Sequence, residues 1–220
     1  MSGFFITFEG VDGCGKTTQR RRTAAWLREL GLDVLETFEP GDTPLGREIR
    51  RLLLHEADAP VPEAELLLFL ADRAQHVRRV IAPALERGQI VLCDRYTDST
   101  LAYQLAGRRL DAAAVTPALR LAEAGVRPHL TLWFDLPVRE ALARMRQREQ
   151  TGEAATRMDG ERQSFHEAVR AGFAQLAARE PGRIRRVDAA GDVETVQRRV
   201  RSLLLPALES RGLIAGSADG

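Results

Sequence analysis

The chain has 220 residues, 44% of them hydrophobic and 29% charged, which suits one α/β domain with a sizeable core and at most two small ones. A formal net charge of +1 excludes any overall attraction for nucleic acid or an anionic membrane surface, and no apolar run approaches membrane-spanning length. Cys14 and Cys93 are the only cysteines, with neither metal-ligand spacing nor a disulfide framework, and no basic region followed by a long apolar run opens the chain, so the expectation is a cytoplasmic protein in a reducing compartment.

Phe4, Phe5, Ile6 and Phe8 form an apolar run long enough for one buried strand. The next residues, Gly10, Val11, Asp12, Gly13, Cys14, Gly15, Lys16, Thr17 and Thr18, carry the pattern G-x-x-x-x-G-K-T between that strand and a helix expected over Thr17 to Leu30. Glycines let the backbone curl so that successive N–H groups point at phosphate oxygens, and the helix adds its positive end. Lys16 reaches the outer phosphates, and the Thr17 hydroxyl is a ligand for Mg2+. Lys16 is the only lysine in the chain, in a sequence that otherwise uses arginine, which argues against a chance glycine-rich turn. Cys14 needs no role there beyond being small.

Gly31 ends the first helix, and Asp33 to Phe38 reads as the second strand, followed by a turn at Glu39-Pro40-Gly41-Asp42. Pro44 opens a helix with Leu45, Ile49, Leu52 and Leu53 on one stripe. A long helix is expected from Glu63 to Arg87, kinked at Pro83. Gln89 to Cys93 is the third strand, and it runs into Asp94-Arg95. Helices follow over Thr97–Ala106 and Ala112–Ala124, a strand over His129–Phe134, and a helix from Pro137 to Arg148. Thr151 to Gly160 reads as a loop or lid. A helix over Glu161–Ala178, a strand over Arg183–Val187 and a helix over Val193–Leu208 complete the body, and residues 211–220 have the composition of a tail. Strands alternating with helices predict one α/β domain with a five-stranded parallel sheet covered on both faces, its ligands at the strand C-termini.

Asp94 ends an apolar strand, where a magnesium-organising acid of a phosphate-loop enzyme stands, although a strand-end aspartate also starts turns. Arg95 suits a second phosphate through its bidentate fork, or else is a solvated charge.

The segment Asp94 to Gln104, D-R-Y-T-D-S-T-L-A-Y-Q, resembles the signature of bacterial thymidylate kinases, which phosphorylate dTMP with ATP. Phe8–Thr18, Glu39–Arg50 and Leu66–His76 are similar to further blocks of that family, in order and spacing, and the resemblance spans about residues 3 to 205. It implies a three-layer phosphate-loop fold with a short lid over about 144–160, ATP and Mg2+ as cofactors, dTMP as the other substrate, and a homodimer without nucleic-acid or membrane partners. It also implies roles for individual residues. Phe69 stacks on the base and Arg73 donates to it; Phe69 sits among leucines and equally fits core packing, whereas a core is no ordinary place for Arg73. Thr100 and Gln104 bond the thymine edge. Tyr103 favours a deoxy sugar or simply packs its helix. Asp12 and Glu39 lie near the sugar and reacting phosphates, and Arg50 and Arg95 hold the monophosphate. Arg157, in T-R-M-D, matches a lid arginine that meets charge on the transferring phosphoryl group, with Arg148, on the same helical face as Arg144, as its competitor. Three residues depart from the family pattern: Phe38, where many members have arginine, Thr156 and Leu105.

Other readings are a kinase for another nucleotide or a deoxynucleoside, a non-kinase phosphate-loop ATPase, and a nucleic-acid binder using Arg20–Arg22 and Arg108–Arg109. The two acceptor-side arginines argue against a nucleoside acceptor. A guanine-reading N-K-x-D motif is impossible in a chain without asparagine.

Overall fold

The structure, a computed structural model, describes residues 3–55, 58–150 and 157–215. Its strands are β1 Phe4–Glu9, β2 Val34–Phe38, β3 Ile90–Asp94, β4 Leu130–Asp135 and β5 Ile184–Asp188, paired in parallel in the order β2-β3-β1-β4-β5. The central β1 is buried along its whole length. Phe4, Ile6 and Phe8 point into the larger apolar cluster on one face, while Phe5 joins Val77, Ile81, Val91 and Tyr96 on the other. A strand buried on both faces has no polar side to show, so its sequence is a continuous apolar run. The outer strands β2 and β5 are only partly buried.

The helices are α1 Lys16–Glu29, α2 Pro44–Leu54, α3 Pro62–His76, α4 Ala82–Glu86, α5 Thr97–Thr100, α6 Ala112–Glu123, α7 Val138–Gln150, α8 Gln163–Arg179 and α9 Val193–Ser210. Residues of α1, α8 and α9 cover one face of the sheet, and α4 with the turn before it covers the other. The single helix expected over Glu63–Arg87 is α3 and α4 joined by a π turn, Val77–Ile81. Pro83 lacks the N–H that would bond Arg79 and its ring crowds that carbonyl, and a wider turn relieves the crowding. A second π turn, Leu101–Gly107, replaces most of the α-helix expected over Thr97–Ala106. Here the cause is tertiary. This segment lies against α8 so closely that a Cβ on Gly172 would stand 2.9 Å from the Ala106 Cβ, and one on Gly107 would stand 2.7 Å from the Phe165 ring.

Of the expected lid, Thr151 to Thr156 lie outside the described residues, and Arg157–Gly160 form a 3-10 turn. Beyond Ser210 the chain still packs on the body: Leu213 and Ile214 touch the main core, and the Arg211 guanidinium sits 4.3 Å from the Phe4 ring centroid. Arg211, Leu213 and Ile214, within the tail expected over 211–220, thus pack on the body, because two apolar residues there find a core to join. Residues 216–220 lie outside the described residues.

The switch in strand order falls at β1, between β3 and β4. Two backbone bonds gather the loops at that point: Arg95 N–H donates to the Phe8 carbonyl at 3.0 Å, and Glu39 N–H to the Asp94 carbonyl at 3.0 Å. The ends of β1, β2 and β3 thus open onto one crevice, the ordinary ligand position of an open α/β sheet.

Candidate active site

The loop after β1 has the conformation that its glycines predict. Gly10, Gly13 and Gly15 have φ of 142°, 78° and 93°, and a Cβ on Gly13 would lie 2.3 Å from the Ala141 carbonyl of α7. Gly15 caps α1 without a side-chain hydrogen bond, so the first N–H groups of that helix face the loop. Lys16 is buried, its ammonium donating to the Val11 carbonyl at 3.1 Å and standing 4.0 Å from Asp12 Oδ1. The Thr17 hydroxyl donates to Asp94 Oδ2. These are two adjacent hard oxygen ligands at the mouth of a phosphate cradle, a donor set that fits Mg2+ shared with phosphate oxygens.

Across the crevice, Arg95 is held from several sides. Its guanidinium donates to Asp12 Oδ1 at 2.6 Å, the Tyr103 hydroxyl at 3.0 Å, Ser99 Oγ at 3.0 Å and the Gly10 carbonyl at 3.3 Å, over the Tyr103 ring. Tyr103 in turn donates to Asp12 Oδ2 at 2.9 Å. Burial pushes the Asp12 carboxyl up, but the charges of Arg95 and Lys16 overcome it and hold the group well below the usual carboxylate range. Arg50 donates to the Pro40 carbonyl at 2.8 Å and lies over the Phe38 ring, 5.7 Å from its centroid. Burial and the Arg95 charge push its guanidinium down. Two cations that repel across a cavity favour an anion between them. Phe38, a departure from the family pattern, is therefore the platform under Arg50 and lines the same cavity.

Arg73 is buried after all, at 2% exposure, because Glu39 meets it there. Its guanidinium donates to Glu39 Oε2 at 2.8 Å, Thr100 Oγ1 at 2.6 Å and the Tyr96 carbonyl at 2.9 Å, and it lines the cavity. Breaking such a pair costs about 3–5 kcal/mol, so Arg73 is a fixed donor. Glu39 also contacts His76 Nδ1 at 2.9 Å, and His76 Nε2 lies 2.5 Å from Thr37 Oγ1.

Beside this pair, Asp72 accepts the Gly41 N–H at 3.1 Å while its second oxygen is buried without a partner. Burial and the Glu39 charge raise its carboxyl to about 7. The native state thus binds this proton more tightly than the unfolded chain, whose aspartates titrate near ~4. Stability contributed by the neutral form is lost as pH rises from the unfolded value through about 7. Asp72→Asn keeps an acceptor for Gly41 and removes the charge. It is expected to unfold at a higher temperature than the parent at pH 8, with the gain vanishing below the unfolded value. A lower melting temperature at pH 8 would contradict this account.

The cavity that collects these groups has a volume of about 540 Å3 and is also lined by Phe69, Thr100 and Gln104. Phe69 both lines it and packs on the core. A second cavity, about 650 Å3, lies on the other side of the phosphate loop, between Gly13–Gln19, Arg144, Arg148 and Gly191–Val193. Asp12, Lys16, Thr17 and Arg148 line both. Arg157 is not among the lining residues. It donates to the Leu53 carbonyl at 3.1 Å and to Glu65 Oε2. Leu105 packs on the small cluster of Leu66, Leu70 and Val115, and Thr156 lies outside the described residues.

Several residues with clear positions here went unread in the sequence. Glu9, wholly buried, accepts the Tyr96 N–H at 2.7 Å and bonds Ser99 Oγ at 2.5 Å, so it fixes the turn that carries Arg95; burial and nearby Asp98 raise its carboxyl. Glu65, Asp72 and His76 are buried on α3. Their spacing with Phe69 and Arg73 is itself a signal, since polar groups recur at helical period on a face that should be apolar. Three of the arginines in the nucleic-acid reading are engaged within the fold: Arg20 with Glu36 at 3.4 Å, Arg22 with Glu194, and Arg108 with Glu65 at 3.0 Å.

The sequence of this chain matches the thymidylate kinase family model over residues 8–200. It is 50% identical over 204 residues to a thymidylate kinase of Synechococcus sp. (strain JA-2-3B'a(2-13)), covering 93% of this chain and 95% of that one. It is 49% identical over 205 residues to a thymidylate kinase of Pseudomonas putida (strain GB-1), covering 93% and 96%. Its backbone is similar to the crystal structure of thymidylate kinase from Ehrlichia chaffeensis, with a TM-score of 0.73 and 32% identity over 93% of this chain and 99% of that one. Likeness of this extent, carried on a phosphate loop between two cavities, means that the chain belongs to the thymidylate kinase family.

Proposed function

We propose that this protein transfers the γ-phosphoryl group of ATP to dTMP, giving dTDP and ADP, with Mg2+ as the metal. The observation that carries the reading is the pair of cavities that share Asp12, Lys16, Thr17 and Arg148, one cavity for each nucleotide. ATP would lie along Gly10–Thr18, with Lys16 against its outer phosphates, and Thr17 and Asp94 would hold Mg2+, which when bound supplies charge neutralisation. The dTMP phosphate would sit between Arg50 and Arg95 and act as the nucleophile, its sugar near Asp12, Glu39 and Tyr103, and its base on Phe69 facing Arg73, Thr100 and Gln104. The chemistry is positioning and charge stabilisation, without a covalent enzyme intermediate. Free Cys14 and Cys93 support a reducing, cytoplasmic setting. Val61, Leu67 and Leu121, exposed on the neighbouring α3 and α6 region, support a homodimer. The pairing of Arg20, Arg22 and Arg108 with acids supports a small-molecule role without nucleic acid.

The test is ADP release with Mg-ATP against a panel of nucleoside monophosphates and nucleosides. Activity on dTMP well above the others is expected, and preference for a nucleoside would overturn the reading.

For the lid, both arginines are retained as cations of the transfer step, and the position of Arg148 beside both cavities favours it over Arg157 as the one that meets the migrating charge. Arg148→Ala is expected to lower kcat by about a hundredfold with little change in nucleotide binding, the mark of an interaction made in the transition state. Arg157→Ala is expected to act less on kcat and more on KM for dTMP. A larger kcat loss at Arg157 would reverse the assignment.

A further inference from the structure

Glu65 lines neither cavity, yet its side chain is 1% exposed and its carboxylate accepts from three side chains at once. Gln104 Nε2 donates to it at 3.2 Å, Arg108 Nε and Nη2 at 3.0 Å each, and Arg157 Nη2 completes the set. Arg108 also reaches Glu161 at 2.6 Å and lies over the Phe165 ring, which fixes it from the other side. Burial pushes the Glu65 carboxyl up, but hydrogen bonds from Arg108 and Arg157 bring it below its ordinary value, so it is ionised. An ionised carboxylate only accepts. Gln104 is buried and has one amide with distinct ends; facing Glu65, it must present its NH2 there. Its Oε1 is then the end available to the cavity that it lines. One helical step before it, Thr100 Oγ1 accepts from Arg73, so the hydroxyl proton is free to donate into the same cavity. An acceptor beside a donor complements an imide edge, whose N–H is flanked by carbonyls. The edge of cytosine presents a bare ring nitrogen at that point, and Oε1 repels it.

We propose that Glu65 is a positioning residue for base specificity: by holding the Gln104 amide nitrogen it aims Oε1 at the imide N–H of the acceptor base. This rests on the dTMP reading above.

The test uses Glu65→Gln in the full chain. A neutral amide donates as well as accepts, so Gln104 is no longer forced into one orientation. The ratio of kcat/KM for dTMP to that for dCMP is expected to fall by about tenfold or more, through a weaker KM for dTMP and a stronger one for dCMP, with KM for ATP unchanged. An active variant with the parental ratio overturns the proposal, as does an equal loss for both nucleotides, which marks a purely structural role. A parent enzyme with no preference for dTMP would instead overturn the underlying function. If the variant does not fold, the parent protein decides by NMR. Gln104 side-chain amide protons are expected to show contacts to the Glu65 methylene protons, and amide protons directed at Thr100 instead would overturn the proposal.

Discussion

Lys16→Ala is expected to lower kcat/KM for phosphoryl transfer at least about a hundredfold while the thermal unfolding of the protein changes little, corresponding to about 3 kcal/mol or more of transition-state stabilisation. The Lys16 side chain is 6% exposed, and its ammonium meets the Val11 carbonyl and approaches Asp12 at 4.0 Å, both within the loop itself. Neither is a partner on which the sheet or the core depends. Its charge is therefore available to a phosphate lying on the Gly10–Thr18 backbone, and that phosphate loses a buried counter-charge when the side chain is cut. Lys16→Arg is not expected to restore activity, because a planar fork does not fit where a compact ammonium reaches between curled backbone carbonyls. Steady-state kinetics alongside a melting curve check both points. Turnover near the parental level in folded Lys16→Ala would remove the phosphate loop from the mechanism.

Arg95→Ala is expected to lower kcat/KM for dTMP by about a hundredfold or more and to leave KM for ATP nearly unchanged. Arg95 stands at a positive φ of 69°, which costs arginine and alanine alike, so the substitution removes the guanidinium without altering backbone strain. What is lost is a cation held in place by Asp12, Tyr103, Ser99 and the Gly10 carbonyl, and half of the pair that Arg95 forms with Arg50 around an anion position. The same change frees Asp12 from the charge that lowers its carboxyl, so the acid limb of the pH–rate profile for dTMP is expected to move upward. Measuring KM for each nucleotide separately makes the result decisive: an equal loss for ATP and dTMP would show that Arg95 serves the loop as a whole and not the acceptor.

Local chemistry explains what was legible without coordinates. The phosphate loop is readable because its demands, positive φ at three glycines, one ammonium and one hydroxyl at a helix start, are met by neighbours in the chain. The inner strands β1, β3 and β4 are readable because strands covered on both faces carry nearly continuous apolar runs, and the helices between them by their period. Even Asp94 and Arg95 are readable as a pair, because they follow directly on the apolar run of β3.

Tertiary structure alone decided the rest. Arg73 reads as a residue with no ordinary place in a core until Glu39, 34 positions away, meets it inside the fold. Arg157 reads as a free lid cation until Glu65, 92 positions away, accepts it and leaves Arg148 beside both cavities. The π turn at Leu101–Gly107 packs closely against α8, a partner that the residues of the turn do not announce. In each case the side chain's energy depends on a partner that only folding delivers. Burying a charge is unfavourable unless its counter-charge is already there, and chain-local propensity carries no information about whether it will be.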